Sequence, residues 1–300
     1  MKIAFLGVGQ MGRPMIERLL AHGHELCIYN RTRAKAEFFS RRARICDSAK
    51  EAVDSSDFVI TMLYDSAAVN QVLRGGNSVF SPASKGKVLI DMTSGDPISV
   101  IELSDHLRAF GVELVDAPVM GMPSAAIRGE LKILASGNDE TIDRCLPIFE
   151  AFATKVYRLG KVGNGKFTKM VNMMMFGVNL VAMSEAIGYC DRAGIDLARF
   201  TEVVNEGSGS SFASRNGLPK VISNDFTVGG STALIAKDMK LTFTVGQILG
   251  TDMPILEKAI SIYDEALSEG LGKYNEVGIA LHYRKRAENS VVESTNAGRR

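Results

Sequence analysis

Lys2-Ile-Ala-Phe-Leu6 followed at once by Gly7-Val-Gly9-Gln10-Met11-Gly12 is the stretch that decides the first domain. Ile3 to Leu6 is a short apolar run of the kind that forms a buried parallel strand. Pro14 to His22 then runs in helical rhythm, with Met15, Ile16, Leu19 and Leu20 apolar. The glycines therefore form G-x-G-x-x-G between a strand and a helix. In that setting Gly7 permits the tight turn, Gly9 lets a pyrophosphate approach the backbone, and Gly12 lets helix and strand pack closely. Gln10 and Met11 lie in the same turn and join the three glycines as candidate cofactor-binding residues. An ordinary glycine-rich turn is the competing reading.

The next strand reads Glu25-Leu-Cys-Ile-Tyr29. At its end, enzymes that use NAD place a carboxylate on the ribose 2′-hydroxyl. Here Asn30 occupies that position, and Arg31, Thr32 and Arg33 follow. No carboxylate is present to repel a 2′-phosphate, and the planar fork of Arg31 can clamp one. Asn30, Arg31 and Thr32 are thus candidate cofactor contacts that favour NADP, with NAD also allowed. A solvated loop is the alternative for the arginines.

Further strands are expected at Phe58–Leu63, Val88–Met92, Val112–Asp116 and Lys132–Ala135. Helical segments lie around Ala34–Arg42, Ser66–Leu73 and Pro97–Phe110. Strands alternating with helices give an α/β, Rossmann-type doubly wound sheet. Ligands bind at the carboxyl ends of such strands, which puts Met62, Leu63 and Tyr64, together with Thr93, Ser94 and Gly95, beside the cofactor. Asp116-Ala-Pro-Val-Met-Gly-Met122 is expected to leave its strand as a loop toward the same edge.

The second half opens with Gly160-Lys-Val-Gly163-Asn-Gly165-Lys-Phe-Thr-Lys169-Met-Val-Asn172. A glycine-rich turn leads into about 28 residues of helical pattern, ending at Ala193 with Gly194 as its cap. Such a helix is about 40 Å long and can run from one domain into the next. Lys169 and Asn172 are three apart and share a face. Burial near the positive end of a helix pushes a lysine toward the neutral amine, which can exchange protons with a hydroxyl or carbonyl. Met170, Met173, Met174, Met175 and Met183 are the residues that usually fill a core. More helices are expected at Leu197–Asn205, Ser211–Ile222, Leu234–Leu249, Pro254–Glu269 and Glu276–Ala287. The organisation predicted is a Rossmann domain over 1–162, an all-α domain over 163–288 that begins with the long helix, and a disordered tail over 289–300.

Composition narrows the partners. Thirty-five Lys and Arg against 34 Asp and Glu give a net charge of +1, so no bulk field draws the chain to nucleic acid or an anionic membrane. Cys27, Cys46, Cys145 and Cys190 lack CxxC spacing, and His22, His24, His106 and His282 make no ligand pattern. That argues against a disulfide framework and a metal site and fits a reducing cytoplasm. No membrane span is expected, and the N-terminal apolar run is too short for a signal h-region.

With a dinucleotide fold in front, a lysine-bearing helix behind it and a helical remainder, the chain resembles the β-hydroxyacid dehydrogenase family over about residues 1 to 287. That family includes 3-hydroxyisobutyrate dehydrogenases, tartronate semialdehyde reductases, succinic and glyoxylic semialdehyde reductases, and 6-phosphogluconate dehydrogenases. The landmarks match in order: Gln10-Met11-Gly12 in the fingerprint, Asp116-Ala-Pro-Val119 with Gly129-Glu-Leu131, the Lys169 segment, and Lys237-Asp238-Met-Lys-Leu241. The resemblance implies that Lys169 is the acid/base during hydride transfer. It also implies that Lys237 contacts cofactor with Asp238 positioning it, that Ser94 or Thr93 lies against the nicotinamide ribose, and that the backbone around Gly121 cradles the substrate's acid group. It further implies a homodimer or homotetramer acting on a small molecule.

Two departures from the family pattern matter. Where the family usually has Ser-Gly-Gly, this chain has Met120-Gly121-Met122; where it usually has an asparagine four residues after the lysine, this chain has Met173, with Asn172 one earlier. A thioether cannot donate a hydrogen bond, so the expected substrate is bulkier or less polar than usual. Two other readings remain open. Imine reduction uses the same fold and NADPH, although imine reductases usually lack a lysine at the Lys169 position. A non-catalytic dinucleotide-binding scaffold would usually have lost that lysine. The chain is short for a 6-phosphogluconate enzyme.

Overall fold

The computed structural model describes residues 1–75, 78–227 and 229–284. Its contacts divide the chain into two compact units, Met1–Lys169 and Met170–Arg300. The predicted tail over 289–300, and the last residues of the helix expected to end at Ala287, lie outside the described residues.

The first unit is built on six parallel strands: β1 (Lys2–Leu6), β2 (Glu25–Tyr29), β3 (Arg44–Ile45), β4 (Phe58–Thr61), β5 (Val88–Asp91) and β6 (Glu113–Asp116). Their order is β3-β2-β1-β4-β5-β6, with every pair in parallel register. This is the doubly wound arrangement, whose order reverses between β1 and β4. The alternation of side chains explains why these segments are apolar throughout. Ile3, Phe5, Ile28, Ile60, Ile90 and Val115 enter one core. Ala4, Leu6, Val59, Leu89 and Leu114 enter another. The helices between the strands are α1 (Gly12–Ala21), α2 (Arg33–Glu37), α3 (Ala49–Asp54), α4 (Ser66–Arg74) and α5 (Pro97–Arg108). Asp96 starts α5 sharply, its carboxylate accepting from the Ile98 and Ser99 N–H groups, with Pro97 at the first helical position.

The remaining strands of this unit correct the sequence expectation. Leu131–Ala135 (β8) does not extend the parallel sheet. It forms a second, three-stranded sheet with β7 (Val119–Met120) and β9 (Ala153–Arg158), β7 antiparallel and β9 parallel to it. The segment Asp116–Met122, expected to be a loop, thus contains a short strand. The chain folds back at Pro118, whose carbonyl accepts from Leu134 N–H at 2.9 Å. An antiparallel bridge between Asp116 and Ser136 joins this sheet to the end of β6. Helices α6 (Pro123–Arg128) and α7 (Asp139–Phe149) complete the layer.

Helix α8 (Asn164–Ala193) is 30 residues long, about 45 Å. The division between the units falls inside it, at Lys169/Met170. By length and composition alone it would pass as a membrane span. Its middle, however, supplies Leu180, Val181, Met183 and Ile187 to the buried core of the second unit. That unit is otherwise α9 (Leu197–Glu206), α10 (Phe212–Ile222), α11 (Thr232–Ile248) and α12 (Pro254–Ser268), then two short 3-10 turns and a helix entered at 279. Met239 of α11 and Tyr263 of α12, both fully buried, stand at the centre of its core.

Candidate active site

The glycine turn is built by exclusion. Gly7 has φ +115°, and a Cβ there would stand 2.3 Å from the Met62 carbonyl oxygen. A Cβ on Gly12 would stand 2.1 Å from the carbonyl oxygen of Gly7. Only glycine fits at either position, so the β1–α1 turn is as tight as a pyrophosphate-binding turn must be. At Gly9 the reverse holds: a Cβ would meet nothing within 4 Å. The absence of a side chain there is not needed by the protein's own packing, and it leaves backbone open at the start of α1. That helix carries no acidic residue in its first turn, so nothing opposes an anion at its positive end. These residues fit the phosphates of a dinucleotide.

Asn30 holds the turn from below. Its Oδ1 accepts from Val8 N–H at 2.8 Å, and its Nδ2 donates to the Thr32 carbonyl at 2.9 Å. Both ends of its amide thus organise the loop, and the exposed neighbours are Arg31 and Thr32. Arg33 is engaged with Glu37 at 2.7 Å and with Asp47. Among the described residues Arg31 has no ion pair.

The loops after β4 and β5 are laced together. Thr93 is fully buried; its Oγ1 accepts from Leu63 N–H at 3.0 Å, and its own N–H donates to Asp91 Oδ1 at 3.1 Å. Its hydroxyl is therefore a strut inside the protein and has no surface to offer a cofactor. Ser94 is half-buried, as are Met62 and Leu63, and Tyr64 is exposed.

Sequence reasoning missed the feature at the centre of this edge. Lys166, in the first turn of α8, is 1% exposed. Its ammonium donates to the Thr93 carbonyl at 2.7 Å and lies 3.0 Å from Asp91 Oδ2 and 3.2 Å from Asp116 Oδ1. Its backbone N–H donates to Asp116 Oδ2 at 3.0 Å, Gly165 N–H donates to Ser136 Oγ at 3.0 Å, and that hydroxyl donates to Asp116 Oδ2 at 3.0 Å. Thr61 Oγ1 donates to Asp91 Oδ1 at 2.8 Å. The free N–H groups that begin α8 are thus capped by Asp116 at the end of β6 and Ser136 just past β8 rather than by a local residue. No side chain fits at Gly165, where a Cβ would come 2.4 Å from the Leu134 carbonyl oxygen.

Burial alone would lower the Lys166 amine, but the carboxylates of Asp91 and Asp116 outweigh it and hold it above the ordinary lysine value. Lys166 is therefore a fixed cation. Burial pushes the Asp116 carboxyl above the usual range, and the Lys166 ammonium and N–H offset that only in part. One ammonium faces two carboxylates, and Asp116 Oδ1 has ion-pair distance but no hydrogen bond. Two buried strands that each end in Asp were the readable signal, because buried carboxylates need a cation.

Lys169 is half-buried, one turn beyond Lys166, and Asn172 is exposed. Met173 packs against the core of the helical unit. Met173 is half-buried, as is Met120, while Met122 is 40% exposed. Gly121 between them is exposed. In α11, Lys237 Nζ stands 3.7 Å from Asp238 Oδ1. Among the described residues no cluster of His, Cys, Asp and Glu could hold a metal ion.

Comparison with known proteins matches the chain to two family models. Residues 2–160 match the model of the NAD binding domain of 6-phosphogluconate dehydrogenase. Residues 163–283 match that of NAD-binding of NADP-dependent 3-hydroxyisobutyrate dehydrogenase. The chain is 28% identical to 2-(hydroxymethyl)glutarate dehydrogenase of Eubacterium barkeri, over 91% of this chain and 91% of that one. It is 28% identical to 2-hydroxy-3-oxopropionate reductase of Escherichia coli, over 90% and 92%. Among solved structures it is similar to a 3-hydroxyisobutyrate dehydrogenase of Mycobacterium tuberculosis with L-serine, with a TM-score of 0.86 and 26% identity over 94% of this chain and 98% of that chain.

Proposed function

We infer the reaction from one premise: this chain belongs to the β-hydroxyacid dehydrogenase family. It is an NAD(P)-dependent oxidoreductase of the class that acts on CH–OH groups. Its substrate is a 3-hydroxyacid, a semialdehyde or a related small carbonyl acid, and Lys169 is the acid/base. The observation that carries this reading is a glycine cradle with open backbone at Gly9, in a chain that keeps a half-buried lysine in the first turns of α8.

A bound nicotinamide cofactor would supply or accept the hydride. The chain's own residues do the rest. Gly7 to Gly12 and the positive end of α1 hold the phosphates. Ser94 is the hydroxyl left to meet the cofactor beside the buried Thr93. The Lys169 amine takes a proton from the substrate hydroxyl in oxidation and returns one to the carbonyl oxygen in reduction. Backbone amides around Gly121 hold the acid group, and Asn172, on the same helical face as Lys169, lies toward the substrate. Lys237, held near Asp238, serves the cofactor by family resemblance alone. Met120 and Met122 in place of hydrogen-bonding residues favour a less polar substrate. The exposed apolar side chains of Tyr189, Val203, Phe212 and Ile255 are surface of the kind that a homodimer or homotetramer covers.

A screen of hydroxyacids, semialdehydes, ketones and cyclic imines, followed by NADPH absorbance with NADH as comparison, tests the reading. Turnover is expected for a hydroxyl- or aldehyde-bearing acid. Turnover of cyclic imines alone, or NADPH binding with no turnover of anything, would overturn it in favour of imine reduction or a scaffold.

NADP is the preferred cofactor in this reading, because exposed Arg31 follows the end of β2, the strand end that faces a cofactor ribose in this fold, and has no ion pair among the described residues. A charge-assisted hydrogen bond contributes about 1.5–3 kcal/mol, so Arg31→Ala is expected to weaken NADPH binding by about 10–100-fold. NADH binding should hardly change. Fluorescence titration measures both, and equal losses for the two cofactors would assign Arg31 another role.

A further inference from the structure

We propose that Lys166 is a positioning residue: its buried ammonium locks the first turn of α8 to the loop after β5 and so fixes where Lys169 stands at the cofactor edge. The inference rests on the reading of Lys169 as the acid/base.

The geometry gives Lys166 more than a packing role. Three oxygens from separate parts of the fold converge on its Nζ: the Thr93 carbonyl by a hydrogen bond, and Asp91 Oδ2 and Asp116 Oδ1 at ion-pair distance. An apolar side chain at this place would fill space at lower desolvation cost, but it would leave the helix free to rotate or slide. A hydrogen bond to one point and ion pairs to two others fix both its rotation and its height. The backbone reinforces them, since the N–H groups of Gly165 and Lys166 are tied to Ser136 Oγ and Asp116 Oδ2.

The same network reaches the other side of the edge. From Nζ it passes through Thr93 to the N–H of Leu63, so it touches both loops that stand as cofactor contacts. Lys169 is three residues along the helix, a rise of about 4.5 Å. A tilt of the first turn therefore moves the Lys169 amine relative to Ser94 and Leu63. A misplacement of about 1 Å in an acid/base can cost about 10²-fold in rate.

Lys166→Met tests this, together with the charge-balanced pair Lys166→Met/Asp91→Asn, which removes one cation and one anion and keeps the fold accessible if the single variant unfolds. NADPH is the binding probe, titrated by fluorescence to count folded sites. Turnover is followed with the semialdehyde or hydroxyacid that gives the highest kcat/KM in the screen above. The expected result is a fall of about 10–100-fold in kcat per NADPH-binding site, with NADPH affinity little changed. In a Lys169→Ala background the same substitutions should have no further effect on kcat, because they act through Lys169. An unchanged kcat per binding site, a loss confined to NADPH affinity, or the full effect recurring without Lys169 would each overturn the proposal. A wild-type kcat in Lys169→Ala alone is a separate result, and it would overturn the acid/base reading itself.

Discussion

Lys169→Ala is expected to lower kcat by about 10²–10⁴-fold while the protein still binds NADPH, the range that a positioned acid/base contributes. The size of the effect follows from what the variant keeps. The glycine turn, the open backbone at Gly9 and the start of α1 lie far from residue 169 in sequence and do not depend on its side chain. Cofactor binding should therefore survive. What is lost is the group that moves the proton when a hydroxyl becomes a carbonyl. Lys169→Arg should not restore turnover, since a guanidinium keeps its proton at any pH the enzyme tolerates. Lys169 is half-buried, so its removal leaves no large cavity, and thermal unfolding should change little. Stopped-flow NADPH oxidation and a melting curve measure the two halves of the result. Turnover within a few-fold of wild type would remove Lys169 from the chemistry and favour a reaction, such as imine reduction, that does not use a lysine there.

How much of this was legible in the sequence depends on how local each signal is. The β1–α1 turn was readable because strand, glycines and helix are contiguous, and the missing Cβ of Gly12 faces the carbonyl of Gly7 within the same turn, although that of Gly7 faces Met62 after β4. The long helix was readable for the same reason, down to its cap at Gly194 (φ +68°). The second sheet was not. Strand β7 is two residues long, and β9 mixes half-buried and exposed side chains without a two-residue period. Neither produces a pattern, and both exist only because β8 stands between them. Thr93 and Ser94 looked equivalent as neighbours at a strand end. Only the fold shows that one hydroxyl is turned onto Leu63 N–H inside the protein and the other is left half-buried. Met173 reads in the sequence only as an altered substrate contact; the fold adds that it also packs against the helical core. Lys166 is the largest omission, and its cause is distance: its side chain finds Thr93 73 residues away and its backbone finds Asp116 50 residues away.

The second large effect falls on stability. Lys166→Ala is expected to destabilise the first unit by about 3–5 kcal/mol, because it strips the counter-charge from two buried carboxylates instead of removing the whole cluster. Asp91 and Asp116 are 2% and 0% exposed, so water cannot take over the role of the ammonium. The pH dependence has a definite sign. The Lys166 value is raised in the folded state above its unfolded value of 10.5, so its stabilisation is full below about pH 10.5 and is lost as pH rises through the raised value. The carboxyl of Asp116 is also raised, from 3.8. It therefore favours the fold most when protonated, and that contribution disappears as pH rises through its folded value. The ionised form of Asp116 is thus the one that burial disfavours, and removing Lys166 takes away the charge that offsets it. Asp116→Asn keeps an acceptor for the Lys166 N–H and removes the charge. Added to Lys166→Ala, it should recover a large part of the lost stability, whereas Asp116→Asn alone should cost much less than Lys166→Ala. Urea unfolding at pH 7 and across pH 9 to 12 measures these differences. A Lys166→Ala midpoint equal to that of wild type at pH 7, or an alkaline limb that persists unchanged in the variant, would show that the cluster does not hold the start of α8 in place.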